Sequence, residues 1–336
     1  MSAPLLQIGE PPEMPLVGIA RLAAAGESLR QGHAVEYFTL TSRGLLNRCT
    51  SERVPFAWTI NPYRGCEFAC KYCYARYTHE FMEMRDGVDF ERKIFVKQQT
   101  AWLLRRELKK VKPGEQIALG TATDPYQPAE RRFEVTRGIL EEIARHRGLE
   151  LGIVTKSDLV VRDVELLRQI ARYNSLYVSV TVTTTNTKLA RILEPRAPRP
   201  DLRLKAVATL VKTGMNAGVI CSPVLPGITD STASLDRVVR AAKEAGAKYV
   251  YANALFLKPC SANVFLPFLQ QEFPHLVESY RKRYDGYAFV SQTYRERLSE
   301  VMSALRKKHG ISKQVSDRRA VSSEYRAEDV QLALFG

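Results

Sequence analysis

Three cysteines, Cys66, Cys70 and Cys73, are the densest group of chemically reactive side chains in this 336-residue chain. Thiolates are the ligands that iron–sulfur clusters prefer. Three thiolates are one too few for a four-iron cluster, so a cubane bound by them would keep one iron open to a small molecule. The spacing therefore predicts a [4Fe-4S] cluster that takes part in chemistry and does not only pass electrons.

A structural zinc site formed by the three cysteines and His79 is the main alternative. The unequal spacing of the cysteines and the lack of a second cysteine pair disfavour it. A chance group of buried thiols is the other alternative, and it is disfavoured because the cysteines directly follow a predicted strand. Cys49 and Cys260 have no cysteine near them in sequence, so we assign them no cluster role.

The elements that must position the cysteines alternate between strand and helix. Short apolar runs predict six strands, at residues 56–60, 116–120, 149–155, 176–182, 219–221 and from 249 onward. Helical spacing of apolar side chains predicts helices at residues 135–147, 163–173, 202–212 and 235–245, with two more near 265–283 and 292–309. Such alternation implies parallel βαβ units, and six units cannot complete an eight-unit barrel.

We therefore predict an α/β fold, a partial (β/α)6 barrel, with a doubly wound open sheet as the alternative. In either fold, functional residues gather at the C-terminal ends of the strands. We predict an irregular N-terminal arm at residues 1–52, the barrel at 53–260, a C-terminal helical extension at 261–310 and a flexible basic tail at 311–336.

Composition limits the class of protein. The chain has no apolar run long enough to span a membrane, and its N-terminus does not resemble a secretory signal. Six cysteines in a chain of this length do not resemble a disulfide framework. We therefore expect a cytoplasmic protein. A formal charge of +14 and a pI near 9.5 favour a polyanionic partner such as nucleic acid, the alternative being that the charge only maintains solubility.

The cysteine spacing resembles the signature of the radical S-adenosylmethionine (SAM) superfamily. The strings Asn-Pro-Tyr-Arg-Gly-Cys at 61–66 and Cys-Tyr-Ala-Arg at 73–76 resemble the branch related to spore photoproduct lyase. Segments at residues 120–128, 155–157, 193–196 and 223–227 fit the same branch. The resemblance implies a partial barrel, a [4Fe-4S] cluster, S-adenosylmethionine, an electron-donor protein and chemistry begun by a 5′-deoxyadenosyl radical.

The resemblance also implies which residues surround the cofactor. Tyr72 would lie beside the adenine, and Thr123 and Asp124 would lie near the methionine moiety. Lys156 would meet the methionine carboxylate. For Asp124 the alternative is a turn former before a proline, and for Lys156 it is an ordinary exposed lysine.

Two further positions follow from the same resemblance. Ser179 and Thr181 alternate on one predicted strand and would contact the ribose or methionine end, although hydroxyl residues are also common in strands. Gly227 would bring backbone close to the adenosine, the alternative being a turn glycine.

The chain departs from the lyase at the predicted hydrogen donor. The lyase family uses a cysteine near the end of its second strand, and residues 119–124 contain none. We consider Cys221 and Tyr126 as candidate hydrogen donors, with a buried inert thiol as the alternative for Cys221.

The last residues of the chain are apolar after a polar tail. Gln331, Leu332, Leu334 and Phe335 resemble a bacterial sliding-clamp-binding peptide, the alternative being a segment that docks on this protein itself. We therefore expect a radical SAM enzyme that acts on nucleic acid, most simply DNA, in repair or base modification. The alternatives are a radical enzyme for a protein or small molecule, and a non-catalytic zinc-containing nucleic-acid-binding module.

Overall fold

The structure, a computed structural model, describes residues 16–32, 35–50 and 54–312. In chain order, the strands of these residues are β1 (Ser28–Gly32), β2 (Val35–Leu40), β3 (Leu46–Arg48), β4 (Trp58–Ile60), β5 (Tyr63–Arg64), β6 (Lys93–Lys97), β7 (Gln116–Leu119), β8 (Glu150–Thr155), β9 (Ser175–Thr181), β10 (Asn216–Val224) and β11 (Val250–Ala254).

Helices fill most of the chain between the strands. In chain order they are α1 (Gly18–Ala24), α2 (Tyr77–Glu80), α3 (Asp89–Arg92), α4 (Thr100–Glu107), α5 (Glu130–Phe133), α6 (Val135–Ile143), α7 (Val164–Tyr173), α8 (Thr187–Leu193), α9 (Pro200–Lys212), α10 (Thr232–Glu244), α11 (Pro259–Glu272), α12 (Val277–Arg283) and α13 (Gln292–His309).

The larger sheet is an open run of parallel strands. Its spatial order is β11-β10-β9-β8-β7-β4-β3. From β4 to β11 each strand pairs in parallel with the next one, and β3 joins the edge of β4 antiparallel. A doubly wound sheet would reverse its strand order, and this sheet does not. The predicted partial (β/α)6 barrel is therefore confirmed.

Alternation along the strands separates a helix-facing side from an inner side. Leu151 of β8 and Val178 of β9 lie in the same apolar core as Ile139 of α6 and Leu167 of α7. Ser179 and the tyrosines around it project to the other side of the sheet, where the Ser179 hydroxyl lies 2.8 Å from that of Tyr249. The inner side of the barrel is therefore more polar than the side that the helices cover.

The described part of the N-terminal segment is regular, which corrects the expectation of an irregular arm. It contains α1, β1, β2 and β3, and a second sheet has the order β1-β2-β6-β5. The Val-Glu-Tyr-Phe-Thr-Leu stretch of β2 carries the β-branched and aromatic residues that favour strands. Because β5 immediately precedes Cys66, this second sheet helps to position the cysteines.

The C-terminal region also differs in detail. The segment predicted as one helix near 265–283 is divided into α11 and α12, because Pro274 follows the end of α11. The helix predicted at 292–309 is confirmed as α13, which packs on α10. The fifth barrel strand, predicted at residues 219–221, extends further at both ends, from Asn216 to Val224.

No helix within the described ranges is both long and apolar enough to cross a membrane. The clamp-like peptide, Gln331 to Phe335, lies outside the described residues.

Candidate active site

The cysteine loop follows β4 and β5 and lies at the C-terminal edge of the parallel strands. Gly65 precedes the loop with a φ of 85°, and a Cβ at this position would lie 2.7 Å from a backbone oxygen at the start of β6. The Cys66 amide donates to the Phe90 carbonyl at 2.9 Å, and the Lys71 amide donates to the Leu193 carbonyl at 3.0 Å. The loop is therefore held by α3 on one side and by the end of α8 on the other.

The three thiols lie in largely apolar surroundings. Cys66 and Cys70 are 8% and 7% exposed, and Cys73 is half-buried. Burial raises the pKa of all three thiols, that of Cys70 to about 12, and the charges of Asp124, Cys70 and Cys73 raise the pKa of Cys66 further. The thiols are therefore close enough to interact, and each thiolate is unfavourable there unless positive charge compensates it.

The arrangement does not resemble a mononuclear metal site. Within residues 16–32, 35–50 and 54–312, no three His, Cys, Asp or Glu side chains are arranged to share one ion. His79, the fourth ligand of the zinc alternative, packs edge-on against Phe90 and Phe95, and its Nε2 lies 3.0 Å from the Lys93 carbonyl oxygen. His79 therefore has a packing role, and the structure does not support the zinc alternative.

Thr123 and Asp124, both predicted near the methionine moiety, hold backbone in place in this structure. The Thr123 hydroxyl donates to the Gly65 carbonyl at 2.6 Å. Asp124 is 9% exposed, and its carboxylate accepts from the Thr155 hydroxyl at 2.6 Å and from the Lys156 amide at 2.7 Å. Thr123 therefore links the loop after β7 to the cysteine loop, and Asp124 links the loop after β7 to the end of β8.

A buried polar network lies beside Cys70. Glu194 Oε2 lies 2.5 Å from Arg203 Nη2, and both side chains are 1% exposed. Glu194 Oε1 accepts hydrogen bonds from Thr183, at 2.9 Å, and from the Tyr72 hydroxyl. Lys156 Nζ lies 5.7 Å from the centroid of the Tyr72 ring. The structure therefore brings Tyr72 and Lys156, two of the predicted cofactor residues, together.

The charge of Glu194 is stabilised in this network. Burial alone would raise the pKa of its carboxyl, but Arg203 and Lys156 outweigh burial and lower it. Burial likewise lowers the pKa of Lys156, but Cys70 and Glu194 outweigh it and raise the pKa. Both groups are therefore ionised near neutral pH, and the network sets positive charge beside the thiols.

Ser179, Thr181 and Gly227 have other contacts in this structure. Ser179 hydrogen-bonds to Tyr249 on the inner side of the barrel, as noted above. The Thr181 carbonyl accepts from Arg203 at 3.1 Å. Gly227 has a φ of 73°, and its amide donates to Asp230 at 2.9 Å, so it occupies a turn after β10. Ser179 and Thr181 share the predicted face, whereas Gly227 fits the turn alternative.

The two candidate hydrogen donors do not face the inner side of the barrel. Cys221 is fully buried in the core between the sheet and the helices, and its Sγ lies 3.8 Å from the Thr183 carbonyl oxygen. Tyr126 is 1% exposed and lies in the same core, near the charges of Asp163 and Glu130. Packing against the helices separates both side chains from the inner face in this structure, and their roles as hydrogen donors stay predictions.

Sequence reasoning gave no role to Glu194, Arg203 or Gln127. Glu194 lies in the Leu-Glu-Pro-Arg segment that already carried the family resemblance, so a signal was available for it. Gln127 donates to the Gly65 carbonyl at 3.1 Å and accepts from the Glu67 amide at 2.9 Å. Gln127 likewise lies in the 120–128 segment of that resemblance, whereas Arg203 carries no such signal, because its contacts arise only when distant segments pack together.

Known proteins match this chain in both sequence and fold. Residues 60–239, more than half of the chain, match the family described as the radical SAM superfamily. An uncharacterized protein of Mycobacterium tuberculosis is 33% identical over 331 residues, covering 97% of this chain and 95% of that protein. An uncharacterized protein of Methanocaldococcus jannaschii is 30% identical over 259 residues, covering 76% of this chain and 89% of that protein.

Among solved structures, spore photoproduct lyase complexed with a dinucleoside spore photoproduct has a TM-score of 0.61 at 15% identity. The match covers 81% of this chain and 79% of the lyase. At this identity the likeness concerns the fold, and it supports a barrel of the same partial type. Together with the match over residues 60–239, it shows that this chain belongs to the radical SAM superfamily and is a radical SAM enzyme.

Proposed function

We propose that this enzyme binds a [4Fe-4S] cluster through Cys66, Cys70 and Cys73 and acts on nucleic acid. The observation that carries the proposal is the grouping of three thiols, two buried and one half-buried, at the C-terminal edge of a partial barrel. Radical SAM enzymes use such a cluster together with S-adenosylmethionine. When bound, the two cofactors supply a carbon-centred radical that removes a hydrogen atom from a substrate C–H bond.

The residues present fit this pair of cofactors. Three free thiols on one loop are the donor set of an iron–sulfur cluster in which each cysteine binds a different iron. Arg76 is 2% exposed, and it donates to the Cys70 carbonyl at 3.0 Å and pairs with Glu91 at 2.8 Å. Arg76 therefore both fixes the loop and places a cation beside the cluster.

The same network offers groups for S-adenosylmethionine. Lys156 supplies a cation suited to a carboxylate, and Tyr72 supplies an aromatic ring suited to a purine. Glu194 orients Tyr72 by accepting its hydroxyl proton in a hydrogen bond. We propose that Lys156 and Tyr72 bind the cofactor and that Glu194 and Arg203 position them.

Nucleic acid is the substrate class that the charge favours. The formal charge of +14 suits a partner with one negative charge per phosphate. The lyase structure with a similar fold holds a dinucleoside, which is consistent with a nucleotide substrate in this chain. A DNA base, damaged or modified, is therefore our proposed target.

We also propose two protein partners for this enzyme. One is the sliding clamp, bound through Gln331, Leu332, Leu334 and Phe335, and the other is an electron-donor protein. A pull-down with the bacterial clamp tests the first. Clamp binding by the full chain that is lost when residues 331–336 are deleted would support the clamp prediction. Equal clamp binding by the full and the shortened chain would overturn it.

Deuterium transfer tests the substrate class. The reconstituted enzyme is incubated anaerobically with S-adenosylmethionine, a chemical reductant and deuterated DNA, with deuterated RNA and deuterated protein in parallel reactions. We expect deuterium in the 5′-deoxyadenosine only from a nucleic acid. Transfer from the protein alone would show that the substrate is a polypeptide and would contradict the proposal.

A further inference from the structure

The mouth of the barrel carries a group of exposed aromatic side chains that the proposed mechanism does not use. Tyr74 is 39% exposed, Phe81 60% and Phe289 38%. Single exposed aromatic residues are normal on protein surfaces, but a contiguous group is not. We call this group the aromatic rim; it consists of Tyr74, Tyr77, Phe81, Phe256 and Phe289, with Lys258 among them.

The aromatic rim is contiguous. The Tyr74 and Phe256 rings have centroids 6.0 Å apart, and those of Phe256 and Phe289 are 4.5 Å apart. Tyr77 meets Phe81 edge-on at 5.6 Å. Lys258 joins the two sets, because its Nζ lies 3.9 Å from the Tyr77 centroid and 5.9 Å from the Phe256 centroid.

The rim lies directly beside the cysteine loop. Tyr74 follows Cys73 in sequence, and its hydroxyl donates to the Thr121 carbonyl beyond the end of β7. Phe256 and Lys258 follow β11, the last barrel strand, and the Ser261 hydroxyl donates to the Cys73 carbonyl at 2.9 Å. The rim therefore joins the loops after the first and last barrel strands, which is where the sheet is open.

The rim also carries positive charge. Among the described residues, no carboxylate lies within ion-pair distance of Lys258. Beneath the rim, the half-buried Arg64 donates to the Thr78 carbonyl at 3.3 Å and supports the backbone that carries Tyr77. Lys258 together with three exposed rings, those of Tyr74, Phe81 and Phe289, is a combination that suits single-stranded nucleic acid, because phosphates pair with cations and unpaired bases stack on rings.

We infer that the aromatic rim binds unpaired bases of a single-stranded or locally opened nucleic acid and so presents the strand to the site beside Cys73. This inference rests on the proposed function and gives it a docking surface. A polypeptide with aromatic side chains is the competing occupant. It would not carry the phosphate charge that Lys258 and the overall charge of +14 favour.

Binding to two oligonucleotides of equal length tests this inference. One is a labelled single strand of mixed sequence, and the other is an abasic strand that keeps the phosphates and lacks the bases. Affinities are measured by fluorescence anisotropy with the anaerobically prepared holoenzyme. Phe81→Ala and Phe289→Ala are expected to weaken binding of the base-bearing strand roughly 5- to 150-fold, with little effect on the abasic strand.

Charge is tested separately from stacking. Lys258→Gln is expected to weaken binding of both strands and to reduce the slope of log affinity against log salt by about 0.7. Trp102→Ala removes an exposed aromatic ring on α4, and Lys248→Gln removes an exposed cation two residues before β11. Both control variants should bind as the unmodified enzyme does, and circular dichroism verifies that every variant is folded.

The outcomes separate the inference from the proposed function. An unmodified enzyme that binds neither strand would overturn both. If Phe81→Ala and Phe289→Ala left the affinity for the base-bearing strand unchanged, base stacking at the rim would be overturned and the proposed function would stand. The same would hold if the two variants weakened binding of the base-bearing and abasic strands equally. If the enzyme bound an aromatic peptide more tightly than the base-bearing strand, the aromatic rim would be a polypeptide-binding surface and the inference would be overturned.

Discussion

At the residue scale, the site depends on a carboxylate that is kept charged inside the protein. Glu194 meets Arg203 at 2.5 Å, and both are 1% exposed. Removing one partner of such a pair leaves the other as an uncompensated buried charge. We therefore expect Glu194→Gln to lower the free energy of unfolding by about 3–5 kcal/mol, measured by chemical denaturation.

Glu165→Gln is the matched control. Glu165 pairs with Arg168 at 3.1 Å, but their side chains are 78% and 54% exposed. An exposed pair of this kind contributes at most about 1 kcal/mol. If both variants lost the same free energy of unfolding, the buried Glu194–Arg203 pair would contribute no more to stability than an exposed pair.

His79 gives a dependence of stability on pH. Burial lowers its pKa from 6.5 to about 4. Between these pH values the unfolded chain binds a proton at His79 that the folded protein does not, so stability is lost as pH falls from 6.5 to 4. The contribution is at most about 1.4 kcal/mol per pH unit.

His79→Phe keeps a ring between Phe90 and Phe95 and removes the titrating group. We expect the pH dependence of its unfolding free energy to be shallower than that of the unmodified protein between pH 4 and 6.5. His275→Gln, which removes an exposed histidine, serves as the control. A slope that His79→Phe leaves unaltered would contradict the buried state of His79.

Residue identity could be predicted where the chemistry lies within one short segment. Cys66, Cys70 and Cys73 lie within eight residues, so their spacing alone indicates a shared ligand. The partner of Tyr72 could not be predicted, because Glu194 lies 122 residues away along the chain. Thr123 shows a second limit, since sequence places its hydroxyl at a strand end but does not say which group the hydroxyl will contact.

At the element scale, the junction between β5 and the cysteine loop depends on a glycine. Gly65 has a φ of 85°, and an added Cβ would lie 2.7 and 2.9 Å from backbone oxygens of Lys93 and Phe90. Gly65→Ala must therefore move backbone as well as strain it. We expect this variant to lose most of its bound iron after anaerobic reconstitution, measured as iron per chain.

Gly114→Ala is the control that separates the steric clash of an added Cβ from the strain of a left-handed backbone. Gly114 has a φ of 81°, and an added Cβ would meet no atom within 4 Å. It should bear only the left-handed strain of about 1–2 kcal/mol and keep its iron. Full iron content in Gly65→Ala would show that the close approach of β6 does not determine the loop.

Elements with a strong periodicity of apolar residues could be predicted from the sequence, whereas short elements and edge strands could not. The helix α7 carries the buried Leu167 and Ile170 at helical spacing, and its predicted start differs from the observed one by one residue. The pair β1 and β2 was missed, because glycine and charged residues surround it and its partner β6 lies about sixty residues further on. Pairing between such distant segments leaves no local signal.

At the scale of the whole molecule, the partial barrel followed from counting strands, and the substrate did not. Six parallel strands in chain order fix where loops meet, so the cysteine loop had to lie at the C-terminal edge. The aromatic rim formed at the same edge because the loops after β4 and β11 approach each other across the open side. Neither loop alone indicates this surface, since each contributes only part of it.

The central claim is that Cys66, Cys70 and Cys73 hold the cluster that cleaves S-adenosylmethionine. The most direct measurement is 5′-deoxyadenosine formed per chain by the anaerobically reconstituted enzyme with reductant, compared among single Cys→Ala variants. We expect product from the unmodified enzyme and from Cys221→Ala, and none from Cys66→Ala, Cys70→Ala or Cys73→Ala. Undiminished 5′-deoxyadenosine from any of these three variants would contradict the account.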